Sequence, residues 1–587
     1  MKRFRYIIIM TFAGTVLGSL FSCQKDFLRK PIGSDLNVDS IFSTKQKAMS
    51  AIAKAYSNSL ASGIDISGWD GNREWNLRGG TIGHLSGEIN ATKFNWEDSW
   101  LIQRGGMVAD DGSGLQRSDD GFGFNYRSIR HNYLVTDNID KVPDMSDEEK
   151  KMVKAEMQLL SAYRYEEMFK RYGGVPIVTQ ALTQDMDVKI PRATLQQTLD
   201  YILSQCDEAY QVLPDSHDRA MKGRLTKGVA LAIKAEALLY AARPLFNNTT
   251  PYMSLGGDDD KLICFGTANR DRWQQAVDAS LAVIQWAQAN GYKIINTGSP
   301  LDDYGKAVST PNNEEVLLAY QMQDGYAQAN YSCRSQGGGA NGMSFYQLSQ
   351  YVKADGTEQE WPALGESRDA SDYMTRMEQM EPRYKASAMA AGIDAWNNPN
   401  DVYWSSNSVS GLSNWEGQAG NEACGRRVKF WYRAGTRDWF NFPLYRLAEF
   451  YLNVAEAYNE LDRPADALTH LNVIRRRAGL PDVTETDKVK LRKIIQREWA
   501  VEFYEEMHRL YDVKHWKLAD IANGIIGGSK RAFAFTYRNG NNGWVREDYL
   551  TYNLKEVYTG FWAQNQYLTP FPKTEINKGY IIQNPGY

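Results

Sequence analysis

The sequence predicts a mostly α-helical protein, a scaffold of helical hairpins carrying a large, irregular, aromatic-rich inserted lobe. Three observations lead there. Apolar residues recur at helical spacing over long stretches. Two segments, 63–120 and 296–440, are instead rich in Gly, Asn, Ser, Asp and Trp and show few such stripes. Cysteines are sparse, five in 587 residues, so packing rather than a disulfide framework has to hold the fold.

The first element is not part of that fold. Lys2, Arg3 and Arg5 precede a mostly apolar run from Tyr6 to Leu20, the layout of a secretory signal and too short for a comfortable membrane span. Leu20-Phe21-Ser22-Cys23 resembles a bacterial lipobox, which assigns residues 1–22 to a lipoprotein signal peptide and makes Cys23 the lipid-attachment residue. Each buried lipid CH2 contributes about 0.8 kcal/mol, so several acyl chains anchor firmly. The signal holds three of the 67 basic residues and none of the 71 acidic ones, so its removal moves the net charge from −4 to −7. A mildly acidic surface without a Lys/Arg stripe argues against a nucleic-acid partner.

Residues 23–587 read as one domain. Its helical spine covers about 40–62, 121–295 and 441–520, its irregular lobe about 63–120 and 296–440, and a C-terminal segment 521–587. Helical patterns run over 46–61, 124–140, 147–172, 194–213, 224–246, 270–290, 443–461, 464–478 and 487–518. Leu231, Ala235, Leu238 and Ala242 share one face, whose alanines let a neighbouring helix come close, and Pro244 ends the run. Leu444, Leu447, Tyr451, Val454, Ala455 and Tyr458 form another stripe, and Asp462-Arg463-Pro464 opens a partner helix through Leu468, Leu471 and Ile474. Antiparallel pairs of this size, with small and aromatic residues between them, resemble tetratricopeptide hairpins. Four pairs are expected: 46–61 with 124–140, 147–172 with 194–213, 224–246 with 270–290, and 443–461 with 464–478.

Within these helices the chemistry reads as structural. Gly173-Gly174 ends 147–172 and Pro176 forbids its resumption. Glu498, Glu502 and Glu506 lie one turn apart amid Arg497, Arg509, Asp512 and Lys514, the pattern of an ion-pair network rather than of a catalytic carboxylate pair. Cys206 falls on an apolar face with Leu199, Ile202, Ala209 and Leu213; Cys206, Cys264, Cys333 and Cys424 are too scattered for a CxxC motif. Gly337, Gly339 and Gly342 match G-x-G-x-x-G without the strand and helix that dinucleotide binding needs. Neither the scattered histidines nor Asp110-Asp111 and Asp258-Asp259-Asp260 follow a metal-binding pattern, so no metal or cofactor is expected.

The lobe carries the binding chemistry. Tryptophans cluster between 69 and 100 and again between 361 and 439, out of 16 in the chain. An indole covers the apolar C–H face of a sugar at small conformational cost, while Asn, Asp and Arg bond its hydroxyls. The stretch "GWDGNREWNLRGG" offers Trp69, Asn72, Arg73 and Trp75; Trp96 follows, and the second cluster adds Trp404, Trp415 and Trp431. These eight are the candidate ligand contacts. Tryptophan is also a common core residue, and Trp273, Trp286, Trp499 and Trp516 in the spine read that way.

Several stretches resemble the hallmark segments of SusD/RagB-type lipoproteins: "AYRYEEMFKRYGGVPIV" (162–178), "GRLTKGVALAIKAEALLYAA" (223–242), "PLYRLAEFYLNVAEAYNEL" (443–461), "HLNVIRRRAGLP" (470–481), "REWAVEFYEEMHRLYDVKHW" (497–516) and "YLTPFPKTEINKGYIIQNPGY" (567–587). They occur in the family's order. The resemblance implies a SusD-like fold and a non-enzymatic lipoprotein of the outer membrane, anchored through Cys23 and facing the cell exterior. It further implies binding of an oligosaccharide or polysaccharide and delivery to a SusC-type TonB-dependent transporter. Peptide is the rival ligand, as in import receptors of the RagB type. A surface glycoside hydrolase, which needs two carboxyl groups about 5 to 10 Å apart, and a protein-binding adaptor are the other classes weighed.

Overall fold

The computed structural model describes residues 38–60, 82–90, 102–106, 122–182, 186, 188–322, 342–390, 393, 424–430, 439–519, 525–538 and 546–587. Local signals set the helices. Helix α1 is Lys45–Leu60 and α2 is Phe122–Asn138. Helix α3, Asp147–Tyr172, opens with a capping box: the Ser146 hydroxyl accepts the Glu149 N–H, and the Glu149 side chain accepts the Ser146 N–H. Three acids in its first turn and Lys170-Arg171 in its last complement the helix dipole. Thr194 and Gln197 repeat the box at the head of α4, Leu195–Val212. Helices α5, Lys227–Ala242, and α6, Asp271–Ala289, follow, then the shorter α7, Pro300–Ser309. Later in the chain come α8, Leu447–Glu460, α9, Pro464–Arg477 with Pro at its first position, and α10, Lys488–Glu502.

These helices pack as consecutive neighbours, α1 on α2, α2 on α3, α3 on α4, α4 on α5 and α5 on α6, after which α8 packs on α6 and α9 on α8. The four hairpins expected from the apolar stripes are therefore present. Cys206 is buried on α4, and Trp286, Trp499 and Trp516 are buried in the spine, while Trp273 is half-buried. Cys264 and Cys424 are also buried thiols.

One predicted helix is two. The pattern over 487–518 breaks between α10 and α11, His508–His515, where Glu505 and Met507 take φ of 60° and 71°. The left-handed conformation is strained for residues with a side chain. Here it turns the chain so that Glu502 and Glu506 both reach Arg446 (2.6 and 2.7 Å), Glu506 also reaches Lys429 (2.5 Å), and Glu505 pairs with Arg427. Glu498, Glu502 and Glu506 do belong to an ion-pair network, but it is buried and its cations, Arg383, Arg446, Arg475 and Arg477, come from distant segments, while Arg497 pairs instead with Glu358.

The helix expected from residue 443 starts at Leu447, because 440–446 is a strand. Strand β1, Val316–Met322, pairs antiparallel with β2, Phe440–Arg446, from Val316 opposite Arg446 to Met322 opposite Phe440. This two-stranded stalk is where the inserted chain leaves the spine and returns to it. Its own core gathers Met343, Leu348, Tyr373, Met374, Met377 and Tyr384 against a hairpin of β3, Gly528–Tyr537, and β4, Tyr549–Gly560. Trp361 is half-buried there, against Phe345 and Phe533. The C-terminal segment thus supplies lobe as well as spine.

The RYGGVP and QNPGY stretches meet. A side chain at Gly174 would start 2.1 Å from the Ala193 carbonyl, and Gly173, at φ 83°, has the Leu262 carbonyl 2.7 Å from the same point. The Tyr172 carbonyl that they free accepts from Arg192 Nη2 (3.1 Å) and from Asn584 Nδ2 (3.2 Å).

Candidate functional site

The residues chosen from the sequence, Trp69, Asn72, Arg73, Trp75, Trp96, Trp404, Trp415 and Trp431, lie outside the described residues, as does Cys23. What the structure does show is where the chain segments that carry them are rooted. Residues 82–90 separate the two parts of the first tryptophan cluster. Residues 424–430 separate Trp404 and Trp415 from Trp431, and residues 342–348, earlier in the inserted chain, lie between 82–90 and 424–430.

These roots are tied to one another. Ile89 and Met343 form an antiparallel bridge; the Ser344 N–H donates to the Glu88 carbonyl (2.9 Å) and the Ser344 hydroxyl to the Gly87 carbonyl (2.5 Å). Met343 in turn donates its N–H to the Gly425 carbonyl (2.8 Å), and Cys424 donates to the Met343 carbonyl (2.7 Å). A fourth strand of chain joins through Gln103, whose amide donates to the His84 carbonyl and whose own carbonyl accepts the Phe561 N–H (2.7 Å). Both tryptophan-bearing regions therefore spring from one hydrogen-bonded base.

Beneath that base lies the buried charge. Arg446 donates to Glu315, Glu502 and Glu506; Arg383 spans Glu381, Glu498 and Glu502; Arg475 reaches Glu498 and Arg477 reaches Glu502. Burial alone would raise the Glu502 carboxyl, but Arg477, Arg446 and Arg383 overcome it and hold it well below the usual range. Burial pulls the Lys429 ammonium down to about 8 even with Glu506 beside it. These carboxylates are sealed and paired to cations, so they fix geometry and offer no open acid–base pair to a substrate. Among the described residues no group of three His, Cys, Asp or Glu side chains is arranged to hold a metal ion. Asp260 instead accepts the Leu255 N–H (2.6 Å) and the Ser254 hydroxyl (3.0 Å), closing its own turn.

Sequence reasoning missed one aromatic at the base. Phe561 is 45% exposed, yet its backbone is bonded to Gln103 and its ring lies against Gly105, where a side chain would start 3.0 Å away. The signal was the alternation that buries Tyr558, Gly560 and Trp562 and leaves Phe561 outward. A separate cavity of about 440 Å³ opens on the spine between His217, Arg224, Tyr292, Asn313 and Gln321.

The profile described as "SusD family" matches residues 290–587, and one described as "Starch-binding associating with outer membrane" matches 90–239. This chain belongs to the SusD/RagB family. SusD-like protein P38 of Formosa agariphila is 23% identical over 409 residues, 66% of this chain and 71% of that protein. A crystal structure of a SusD-like protein from Bacteroides fragilis superposes with a TM-score of 0.70 at 22% identity, covering 94% of this chain and 98% of the other. A structure described as a laminarin-binding SusD-like protein superposes at 0.57 with 18% identity, covering 93% and 100%. The mostly helical SusD-like fold expected from the sequence is the one observed.

Proposed function

We propose that this chain is an outer-membrane lipoprotein, anchored through Cys23 and facing outward, that captures an oligosaccharide or polysaccharide and passes it to a SusC-type TonB-dependent transporter. The observation that carries the reading is the common base: a SusD-family spine on which both tryptophan-bearing regions are rooted together. Roots bonded to one another bring the two tryptophan-bearing stretches of chain off the same part of the spine. Tethering over a transporter raises effective concentration, so modest affinity suffices. The laminarin-binding relative supports glycan as the ligand class, and the family profile's description supports the outer membrane. Trp69, Asn72, Arg73, Trp75, Trp96, Trp404, Trp415 and Trp431 remain the proposed contacts, and the protein acts without turnover.

Native gels containing plant, microbial and host polysaccharides test this with the soluble chain starting after Cys23. Retardation by one polymer, lost in Trp69→Ala or Trp75→Ala, is the expected result. Unchanged mobility in every gel, with binding to peptides in calorimetry, would replace glycan by peptide. Release of shortened sugar from an incubated polymer would overturn the non-enzymatic reading.

A further inference from the structure

The tied roots share a buried pair of carboxyl groups. Glu88 is 1% exposed and Glu505 2%. One oxygen of Glu88 accepts the Glu505 N–H (2.8 Å) and the other accepts the Ser86 hydroxyl (2.7 Å). The Glu505 carboxyl group fits only because residue 83 is glycine: a side chain there would start 1.4 Å from its Oε1. Its other oxygen pairs with Arg427. The pair therefore touches each root. Glu88 lies within 82–90 and bonds 342–348 through its carbonyl and Ser344, and Glu505 holds 424–430 through Arg427.

Two carboxyl groups sealed together, with a guanidinium on only one of them, resist both being charged. The groups facing Glu88 are Ser86 on its own segment, Tyr504 and Glu505 on the bend after α10, Arg509 on α11, and Arg427 by way of Glu505. Burial first, and Glu505 second, push the Glu88 carboxyl up to about 8, with Arg509 opposing weakly. An ionised Glu88 repels the neighbouring Glu505 carboxylate, and protonation of Glu88 removes that repulsion.

We propose that the Glu88–Glu505 pair is a proton-dependent latch that grips the roots of the loops harder in mildly acidic than in alkaline solution. When the roots part, Glu88 meets water and returns to an ordinary carboxyl value of 4.5. Between 4.5 and about 8 the closed latch holds a proton that the open one releases. Opening therefore grows more favourable as pH rises, by up to about tenfold per unit within that window, and levels off above it. That the latch governs ligand capture rests on the function proposed above; the latch itself does not.

Hydrogen–deuterium exchange of the full soluble chain tests it without ligand. Exchange is measured at pH 5.5 and 7.5 and divided by intrinsic chemical rates, for peptides covering 82–90, 342–348 and 424–430, with α6 as reference. Protection of the roots should fall between the two pH values, by as much as about a hundredfold, while α6 changes little. Glu88→Gln, uncharged and of the same shape, should give root protection independent of pH. A root profile that tracks α6, or an unchanged slope in Glu88→Gln, would overturn the proposal. Should that variant fail to fold, the wild-type comparison of roots with α6 decides alone.

Discussion

In the spine, Glu166, Glu167, Glu236 and Glu449 are buried around one ammonium, Lys170, which lies 2.6 Å from Glu167, 3.3 Å from Glu166 and 3.2 Å from Glu236. At the seam with the lobe, Glu498 and Glu502 are as deeply buried but meet Arg383, Arg446, Arg475 and Arg477. In the first place, burial and then the neighbouring Glu236 raise both Glu166 and Glu449 well above the usual carboxyl range. In the second, the arginines more than cancel the same burial and hold Glu498 and Glu502 low. Residue type and depth are matched, and the supply of cations decides the protonation state. In the helical stack one ammonium serves several carboxyl groups, Glu167 is held low beside it, and Glu166 and Glu449 are raised. The other cluster is a set of directional ion pairs that fixes the lobe on the spine.

The sharpest way to break the comparison is to make the same substitution in both places. Glu502→Gln strips partners from Arg446 and Arg477 and should destabilise the protein by about 3–5 kcal/mol. Glu166→Gln removes a carboxyl group that is raised in the fold and ionises freely in the unfolded chain, so stability at pH 7 should stay the same or rise. Urea unfolding of the two variants checks this, and equal losses would refute the contrast. The pH dependence should also run in opposite directions. Glu502 contributes stability above about pH 4.5 that is lost as pH falls through its lowered value. Glu166 contributes below about 4.5 and loses that contribution as pH rises through its raised value. Exchange measured in α10 and α3 against pH should therefore slope with opposite signs. The smallest effect tests what the seam positions. Phe561→Ala should weaken glycan binding about three- to tenfold, the range of one aromatic contact, with melting temperature unchanged.

Much of the spine was legible because one helical face needs only periodic apolar residues: Ala235, Leu238 and Ala242 are buried where the stripe put them. The break inside 487–518 was not, since no Gly or Pro marks it and the strained bend at Glu505 and Met507 is held by partners distant in sequence. Strand β2 was hidden by Pro443, which reads as a helix start yet is tolerated opposite Ala319 in a sheet of only two strands. The β3–β4 hairpin was readable in the alternation of "KRAFAFTY" but was passed over as a C-terminal segment. For the site, composition located the aromatic clusters. Their common base rests on backbone bonds between segments hundreds of residues apart, such as Asn90 to the Arg531 carbonyl (3.1 Å), and no local pattern encodes those.

The clasp at Tyr172 bears on how the protein is made. Its carbonyl, at the end of α3, waits for Asn584, more than four hundred residues later in the chain. A ribosome delivers the two ends of that bond at different times, and export through a membrane pore would separate them again. Until Asn584 arrives, the Tyr172 carbonyl has Arg192 but lacks its second donor, and the Thr569 carbonyl, which Asn584 also caps at 2.7 Å, waits too. The early hairpins can collapse as they emerge, but this joint closes only after residue 584 has been made, so the end of α3 is completed long after its own helix has formed.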